Sequence, residues 1–275
     1  MEQHPELLEF LTGRSRDGLI SLADEREAAG EFHLGLRDID EAALTTGLMP
    51  ARYARNRNTI DTSRQLALLR ATVAVVGCGG LGGYLVEELA RAGVGTLVAI
   101  DPDVFTEHNL NRQLLSTLDL LGSPKAAAAA ARVAAINPAV EVIARREALT
   151  AENGGTLLER AHVAADGLDS IPARITLADT CIEKGIPLVH GAIGGWYGQV
   201  LTQYPPRNLI RELYGPTGRT HGIEKSLGNP SFTPAVIASL QSAEICRIIT
   251  GEGPALKERM LVIDLRAMEF SSVSF

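Results

Sequence analysis

The chain has 275 residues, 45% of them hydrophobic and 21% charged, and a formal net charge of −7, the balance of an ordinary globule with room for one large core or two small ones. An acidic total with no run of lysine or arginine argues against nucleic acid as a partner, because binding it needs a concentrated basic face. No apolar stretch is long enough to span a bilayer, and the opening MEQHPELLEF lacks the basic start and apolar run of a secretory leader, so a cytoplasmic protein without a membrane partner is expected.

Residues 1 to about 50 carry short amphipathic patterns, Glu6 to Leu11 and Ile39 to Leu48, broken by Gly13, Gly30, Gly35 and Gly47. They read as a helical N-terminal extension over 1–50, ending near Met49-Pro50, with the main domain over 51–275. A basic knot follows in RYARNRNTI, Arg52 to Ile60. It is either a solvated turn or a source of cations, Arg52 and Arg55, for a site elsewhere.

From Thr72 the pattern becomes specific. Val73 to Val76 is an apolar run too short for a helix and rich in β-branched residues, so a strand is expected. It breaks into Gly77, Cys78, Gly79, Gly80, Leu81 and Gly82, after which Leu81, Leu85, Val86 and Leu89 recur at helical spacing. A second strand, Thr96 to Ile100, ends on Asp101, which lies 19 residues beyond Gly82. Strand, glycine turn, helix, strand and acid together point to a nucleotide. Glycines allow positive φ and close approach to the backbone, the helix start offers free N–H groups, and the acid can take ribose hydroxyls. The competing reading is a glycine turn that only packs helix on sheet.

Farther on, Pro124 opens a helix that runs through the alanines to Ile136 and stops at Asn137-Pro138. Val140 to Ala144 and His162 to Asp166 are strand candidates, with space for a helix within Thr150 to Arg160. Ala173 to Lys184 is a helix closed by Gly185, and Ile186 to His190 another strand. Such alternation implies an α/β fold, a Rossmann-like, mostly parallel sheet with helices on both faces. After Gly191 strand mixes with Gly and Pro turns, and Arg207 to Pro230 shows no periodicity, a long loop of the functional or mobile sort. Pro234 to Thr250 restores a helix, and Met260 to Leu265 and Ala267 to Phe275 read as final antiparallel strands.

Four features go beyond a bare nucleotide fold. Asn109 and Arg112 in NLNRQ share one side of a turn, and arginine's planar fork suits phosphate oxygens. Lys125 opens a helix and can add a point charge. Asp166 and Asp169, in ADGLDS, flank a strand end, where one or two carboxylates could hold a magnesium ion completed by phosphates. Arg52 and Arg55 could bring a further cation from outside the sheet. Taken singly, Arg112 and Lys125 could be surface charges, and Asp169 an N-cap for the next helix. Taken together they exceed what an NAD(P) oxidoreductase needs.

GCGGLG, the acid pair Asp101 and Asp103, NLNRQ, Lys125, the D-x-x-D-S of Asp166 to Ser170, PLVHGA, GQV and the helix SFTPAVIASLQSAEICRIITG together resemble the ThiF/MoeB/HesA family, relatives of the ubiquitin-activating enzymes. The resemblance spans about residues 52 to 275. It implies an adenylyltransferase that binds ATP and Mg2+ and joins AMP to the C-terminal Gly-Gly carboxylate of a ubiquitin-like sulfur-carrier protein, releasing pyrophosphate, in sulfur transfer of the molybdopterin or thiamine type. Carried over, the turn of Gly77, Gly79, Gly80 and Gly82 binds the nucleotide, with Asp101 and Asp103 on the ribose side. Asn109, Arg112 and Lys125 bind phosphates, Asp169 holds magnesium, and Arg55 reaches the γ-phosphate from the partner subunit of a homodimer. Related activations of a tRNA-borne or small-molecule carboxylate stay open.

The departures carry their own expectations. Many relatives bind a structural zinc through two C-x-x-C pairs, which this chain lacks, so no zinc is expected. Its three cysteines, Cys78, Cys181 and Cys246, lie far apart, and none falls between Arg207 and Pro230, where some relatives carry a reactive one. Cys246 reads as core. The chain is therefore expected to stop at the acyl-adenylate and leave sulfur to a separate donor. Ser170 stands where the family usually has Asn.

Overall fold

The computed structural model describes residues 5–215, 222 and 224–275. The chain begins with α1 (Pro5–Arg14), β1 (Leu19–Ile20), α2 (Leu22–Glu31), α3 (Leu36–Thr45) and β2 (Met49–Pro50). Leu7, Leu11, Ile20, Ala28, Ile39 and Ala43 bury one another there, and β1 pairs in parallel with β2. Gly13 and Gly30 lie inside α1 and α2 rather than ending them. A glycine costs a helix about 1 kcal/mol, less than burying a leucine returns. Only Gly35, the N-cap of α3, and Gly47, with φ +84°, mark an element's end.

The main sheet is built from β3 (Thr72–Val76), β4 (Thr96–Ile100), β5 (Glu141–Arg145), β6 (Val163–Asp166), β7 (Leu188–Gly194), β8 (Tyr197–Gln203), β9 (Arg259–Asp264) and β10 (Glu269–Ser274). Their order is β10-β9-β8-β7-β6-β3-β4-β5; from β7 to β5 the neighbours are parallel, and β8, β9 and β10 are antiparallel additions. Helices α4 (Thr62–Arg70), α5 (Gly80–Ala92), α6 (Lys125–Ile136), α7 (Ala151–Leu157), α8 (Ile171–Lys184), α9 (Leu209–Tyr214), α10 (Glu224–Leu227) and α11 (Phe232–Ile249) complete the chain.

Strand β3 shows why the sheet is covered on both sides. Val73 and Val75 pack with Leu85 and Leu89 of α5, Val133 of α6 and Ile237 of α11, whereas Ala74 and Val76 pack with Leu157 of α7 and Leu177 of α8. All five residues of β3 are buried, as expected of a parallel strand between two helical layers. The chain leaves β3 for β4 and β5, then returns to the other side for β6 and β7, so strand order reverses between β3 and β6. Ligands of open α/β sheets sit beyond the carboxyl ends of the strands at such a reversal.

Helix α4, which periodicity does not announce, is opened by Asp61 accepting from the Arg64 N–H at 2.9 Å and held by the burial of Leu68 and Leu69. The described part of the Arg207 to Pro230 stretch carries helix: Asn208 caps α9, and Gln203 Oε1 accepts from the Ile210 N–H at 3.1 Å. Residues 216–221 and 223 lie outside the described set. Among the described residues no helix is long and apolar enough to cross a membrane.

Candidate active site

A cavity of about 460 Å³ opens at the carboxyl ends of β3, β4 and β6. It brings together Gly77, Gly79, Gly80, Asp101 and Asp103 from one side, and Arg112, Lys125 and Asp169 from the other. Gly82, Asn109 and Arg55 do not line it.

The glycines divide by function. Gly77 has φ +88°, and a Cβ there would lie 2.6 Å from the Gly167 carbonyl; at Gly82 it would lie 1.7 Å from the Gly77 carbonyl. These two let the turn, the start of α5 and the loop after β6 close on one another; Gly77 also lines the cavity, whereas Gly82 lies behind it. At Gly79 and Gly80 the nearest atom to an added Cβ is 3.5 and 3.7 Å away, so here backbone is left bare on the cavity wall. Gly79 is the N-cap of the 13-residue α5 and offers no side-chain acceptor, so the first N–H groups of that helix are available to an anion.

Asp101 is 4% exposed. Its Oδ2 accepts from the Cys78 N–H at 2.7 Å and its Oδ1 from the Asp103 N–H at 2.8 Å, joining the glycine turn to the strand end. Burial pushes its carboxyl above the usual range, against the pull of Lys125. Lys125 Nζ lies 3.1 Å from Asp103 Oδ2. Arg112 donates from Nη1 to the His108 carbonyl at 3.0 Å and to Asn111 Oδ1 at 2.9 Å, and among the described residues no carboxylate pairs with it. Asn109 builds that turn: its Oδ1 accepts from the Thr106 N–H at 2.9 Å, and its carbonyl accepts from the Arg112 and Gln113 N–H groups.

The two aspartates after β6 part company. Asp166 is fully buried, with Oδ2 at 2.6 Å from His190 Nδ1, Oδ1 accepting from the Leu168 N–H at 2.9 Å and the Arg174 guanidinium at 3.8 Å. It is engaged within the protein and does not line the cavity. Asp169 is exposed on the cavity wall. It is not the cap of α8; Ser170 is, accepting from the Ala173 N–H. Arg52 is likewise committed elsewhere: Nη1 lies 2.8 Å from Glu25 and Nη2 3.0 Å from Asp40, both carboxylates fully buried. It anchors the N-terminal helices and supplies no cation to the cavity. Arg55, beside it, is exposed.

Among the described residues no group of three or more His, Cys, Asp or Glu side chains could hold a metal. One exposed carboxylate at a cavity that also presents cations does suit magnesium, which keeps one or two carboxylates and takes phosphate oxygens for the rest. Burial raises the pKa of the Cys78 and Cys181 thiols and pushes Cys246 up to about 11, which disfavours their thiolates.

The model of the ThiF family matches residues 53–275. The chain belongs to the ThiF family. It is 36% identical over 228 residues to the SAMP-activating enzyme E1 of Haloferax volcanii, covering 82% of this chain and 84% of that protein. It is 34% identical over 219 residues to the sulfur carrier protein adenylyltransferase of Thermus thermophilus, covering 76% and 80%. The adenylyltransferase and sulfurtransferase MOCS3 of Arabidopsis thaliana is longer: identity is 36% over 80% of this chain, which spans only 49% of that protein. Among solved structures, that of E. coli MccB with ATP superposes with a TM-score of 0.66 over 98% of this chain and 86% of the other; at 18% identity it speaks for the fold alone.

Within this ThiF-family fold, sequence reasoning passed over Gln113 and Arg174. Gln113 is 6% exposed, lines the cavity, and leaves Oε1 without a partner. A buried acceptor without a donor is rare in folded proteins, and this one belongs to a residue of the cavity wall. Its signal was its place beside Arg112 in NLNRQ. Arg174 is 3% exposed, lines the cavity and donates from Nη2 to the Leu168 carbonyl at 2.7 Å. Nothing in the helical pattern around it distinguishes a buried guanidinium from a solvated one.

Proposed function

We propose that this ThiF-family protein adenylates the C-terminal Gly-Gly carboxylate of a ubiquitin-like sulfur-carrier protein with ATP and Mg2+, releasing pyrophosphate. The observation that carries the reading is a cavity where bare helix-start backbone at Gly79 and Gly80, the cations Arg112 and Lys125, and the exposed Asp169 face one space. The names of the Haloferax and Thermus relatives support adenylation and a sulfur-carrier substrate.

In this reading a carboxylate oxygen attacks the α-phosphorus, the bond to the bridging oxygen of pyrophosphate breaks, and the electron pair leaves with pyrophosphate. The attacking carboxylate is ionised at neutral pH and needs no general base. The obstacle is repulsion between anions, so the protein's work is positioning and charge neutralisation. Gly79 and Gly80 give the nucleotide close access to backbone N–H groups, and Asp101 is set to receive the ribose hydroxyls. Arg112 and Lys125 neutralise phosphate oxygens, with Asn109 holding the turn that aims Arg112. Magnesium, held by Asp169 and the phosphates, would supply further positive charge. Arg55 does not line its own cavity, and in this reading it serves the cavity of a second copy in a homodimer. In this reading no cysteine takes up the activated carrier, and the chain stops at the acyl-adenylate.

The test is exchange of labelled pyrophosphate into ATP with a purified Gly-Gly-tailed carrier. Exchange should appear with wild type and vanish in Arg112→Ala and Asp169→Ala with unchanged melting temperature. No exchange with any such carrier, or wild-type rates in both variants, would overturn the reading.

A further inference from the structure

Beside the cavity lies a largely buried polar cluster that the chemistry above does not use. Asp166 ends β6, His190 and Gln199 sit on β7 and β8, Arg174 on α8, and Tyr214 is the last residue of α9. The cluster grips the backbone just before Asp169 from several directions. His190 holds the Asp166 carboxylate at 2.6 Å, Gln241 of α11 donates to the Asp166 carbonyl at 3.0 Å, and Arg174 donates to the Leu168 carbonyl at 2.7 Å. Gly167, between them, packs against the Gly77 carbonyl so closely that a Cβ there would come within 2.4 Å of it.

The hydrogen-bond polarity is settled by chemistry. Gln199 Nε2, an amide nitrogen that can only donate, lies 3.3 Å from His190 Nε2, so that ring nitrogen accepts and the ring is neutral; burial lowers its pKa in the same sense. A neutral imidazole facing a carboxylate carries its proton on Nδ1, which leaves Nε2 as an acceptor. The Tyr214 hydroxyl, 3.2 Å from Nε2, meets the same acceptor, and its oxygen accepts from Gln199 Nε2 at 3.1 Å and Arg174 Nη1 at 3.3 Å. The tyrosine and imidazole rings also meet edge to face, centroids 5.7 Å apart. A continuous chain of contacts therefore runs from the end of α9 through His190 and Asp166 to the loop that presents Asp169.

We propose that His190 and Tyr214 are positioning residues for Asp169, tying the C-terminal end of α9 to the loop after β6 so that the two are ordered together. Because coupling is reciprocal, whatever displaces α9 loosens Asp169, and a ligand that fixes Asp169 steadies α9. The link to magnesium rests on the proposed function; the link between α9 and the loop does not.

Hydrogen exchange of the ligand-free full chain tests the link by itself. Tyr214→Phe keeps the ring and removes the hydroxyl; His190→Asn keeps a donor for Asp166 and loses contact with Tyr214. In each, exchange at the amides of residues 167–170 should rise at least fivefold while that of α1 to α3 stays as in wild type. The double variant should exchange no faster than His190→Asn, because the two groups act in series. Unchanged loop exchange in both single variants, a uniform rise along the chain, or additive effects in the double variant would each overturn the proposal. In the pyrophosphate assay, Tyr214→Phe should raise the half-saturating magnesium concentration several-fold, with the rate recovered at high magnesium. A merely structural role would lower the melting temperature and leave that concentration alone. Absence of pyrophosphate exchange in wild type would sink the adenylation reading and leave the hydrogen-exchange result standing.

Discussion

Replacing Arg52 with Met puts the attachment of the N-terminal helices to a quantitative test. Arg52 stands between Glu25 of α2 and Asp40 of α3, at 2.8 and 3.0 Å, with both carboxylates fully buried. Two acids around one guanidinium leave a net negative charge if both ionise. Burial, with Asp40 adding its repulsion, pushes Glu25 up to about 8, and burial pushes Asp40 up to about 7, in each case against the pull of Arg52. The folded cluster thus keeps a proton that the unfolded chain has already released. A carboxyl whose pKa is higher folded than unfolded stabilises the fold at low pH and loses that contribution as pH rises through the folded value. Between pH 7 and 8, where most of the titration of unfolded histidines is already past, wild-type stability should therefore fall by about 1 kcal/mol. Glu25→Gln should flatten that slope. Arg52→Met leaves the pair without its cation, at a cost of about 3–5 kcal/mol where the carboxyls are forced to ionise, and less at pH 6, where both can stay protonated. Urea unfolding at pH 6, 7, 8 and 9 measures all three. Equal destabilisation by Arg52→Met at pH 6 and pH 9, or a flat wild-type profile between pH 7 and 8, would refute the reasoning.

Gly82→Ala should fail to accumulate as folded protein, because its Cβ would sit 1.7 Å from the Gly77 carbonyl, whereas Gly80→Ala, with 3.7 Å of clearance, should fold and lose nucleotide affinity; circular dichroism and nucleotide titration separate the two. If Arg55 serves a second copy, mixing inactive Arg55→Ala and Asp169→Ala proteins should restore about a quarter of wild-type exchange, since half the dimers are mixed and each holds one intact site; no recovery after subunit exchange would place Arg55 outside the site. Alkylation by iodoacetamide at pH 7.5 should be slow at all three cysteines, since burial disfavours each thiolate; rapid labelling of Cys246 would reopen its role.

Much of the architecture could be read from short windows. The strand, glycine turn, helix and strand from Thr72 to Ile100, the alanine helix after Pro124, and the helix closed by Gly185 appear at or near their expected bounds. The helix over Thr62–Arg70 did not announce itself, because its stability comes from Leu68 and Leu69 packing on residues distant in the chain. Gly13 and Gly30 looked like breaks for a related reason: the local cost of glycine is visible in the sequence, and the burial that outweighs it is not.

What the amino-acid order determined by itself is whatever depends on near neighbours: periodicity, caps, and the glycines without which a turn cannot close. Tertiary structure alone decided which of several chemically equal side chains remain available. Asp166 and Asp169 are three residues apart, yet one is taken by His190, 24 residues farther along, and the other faces the cavity. Arg52 and Arg55 part in the same way, through Glu25 and Asp40. A charge buried in protein must find its partner within it, and that partner is chosen by the folding of distant segments.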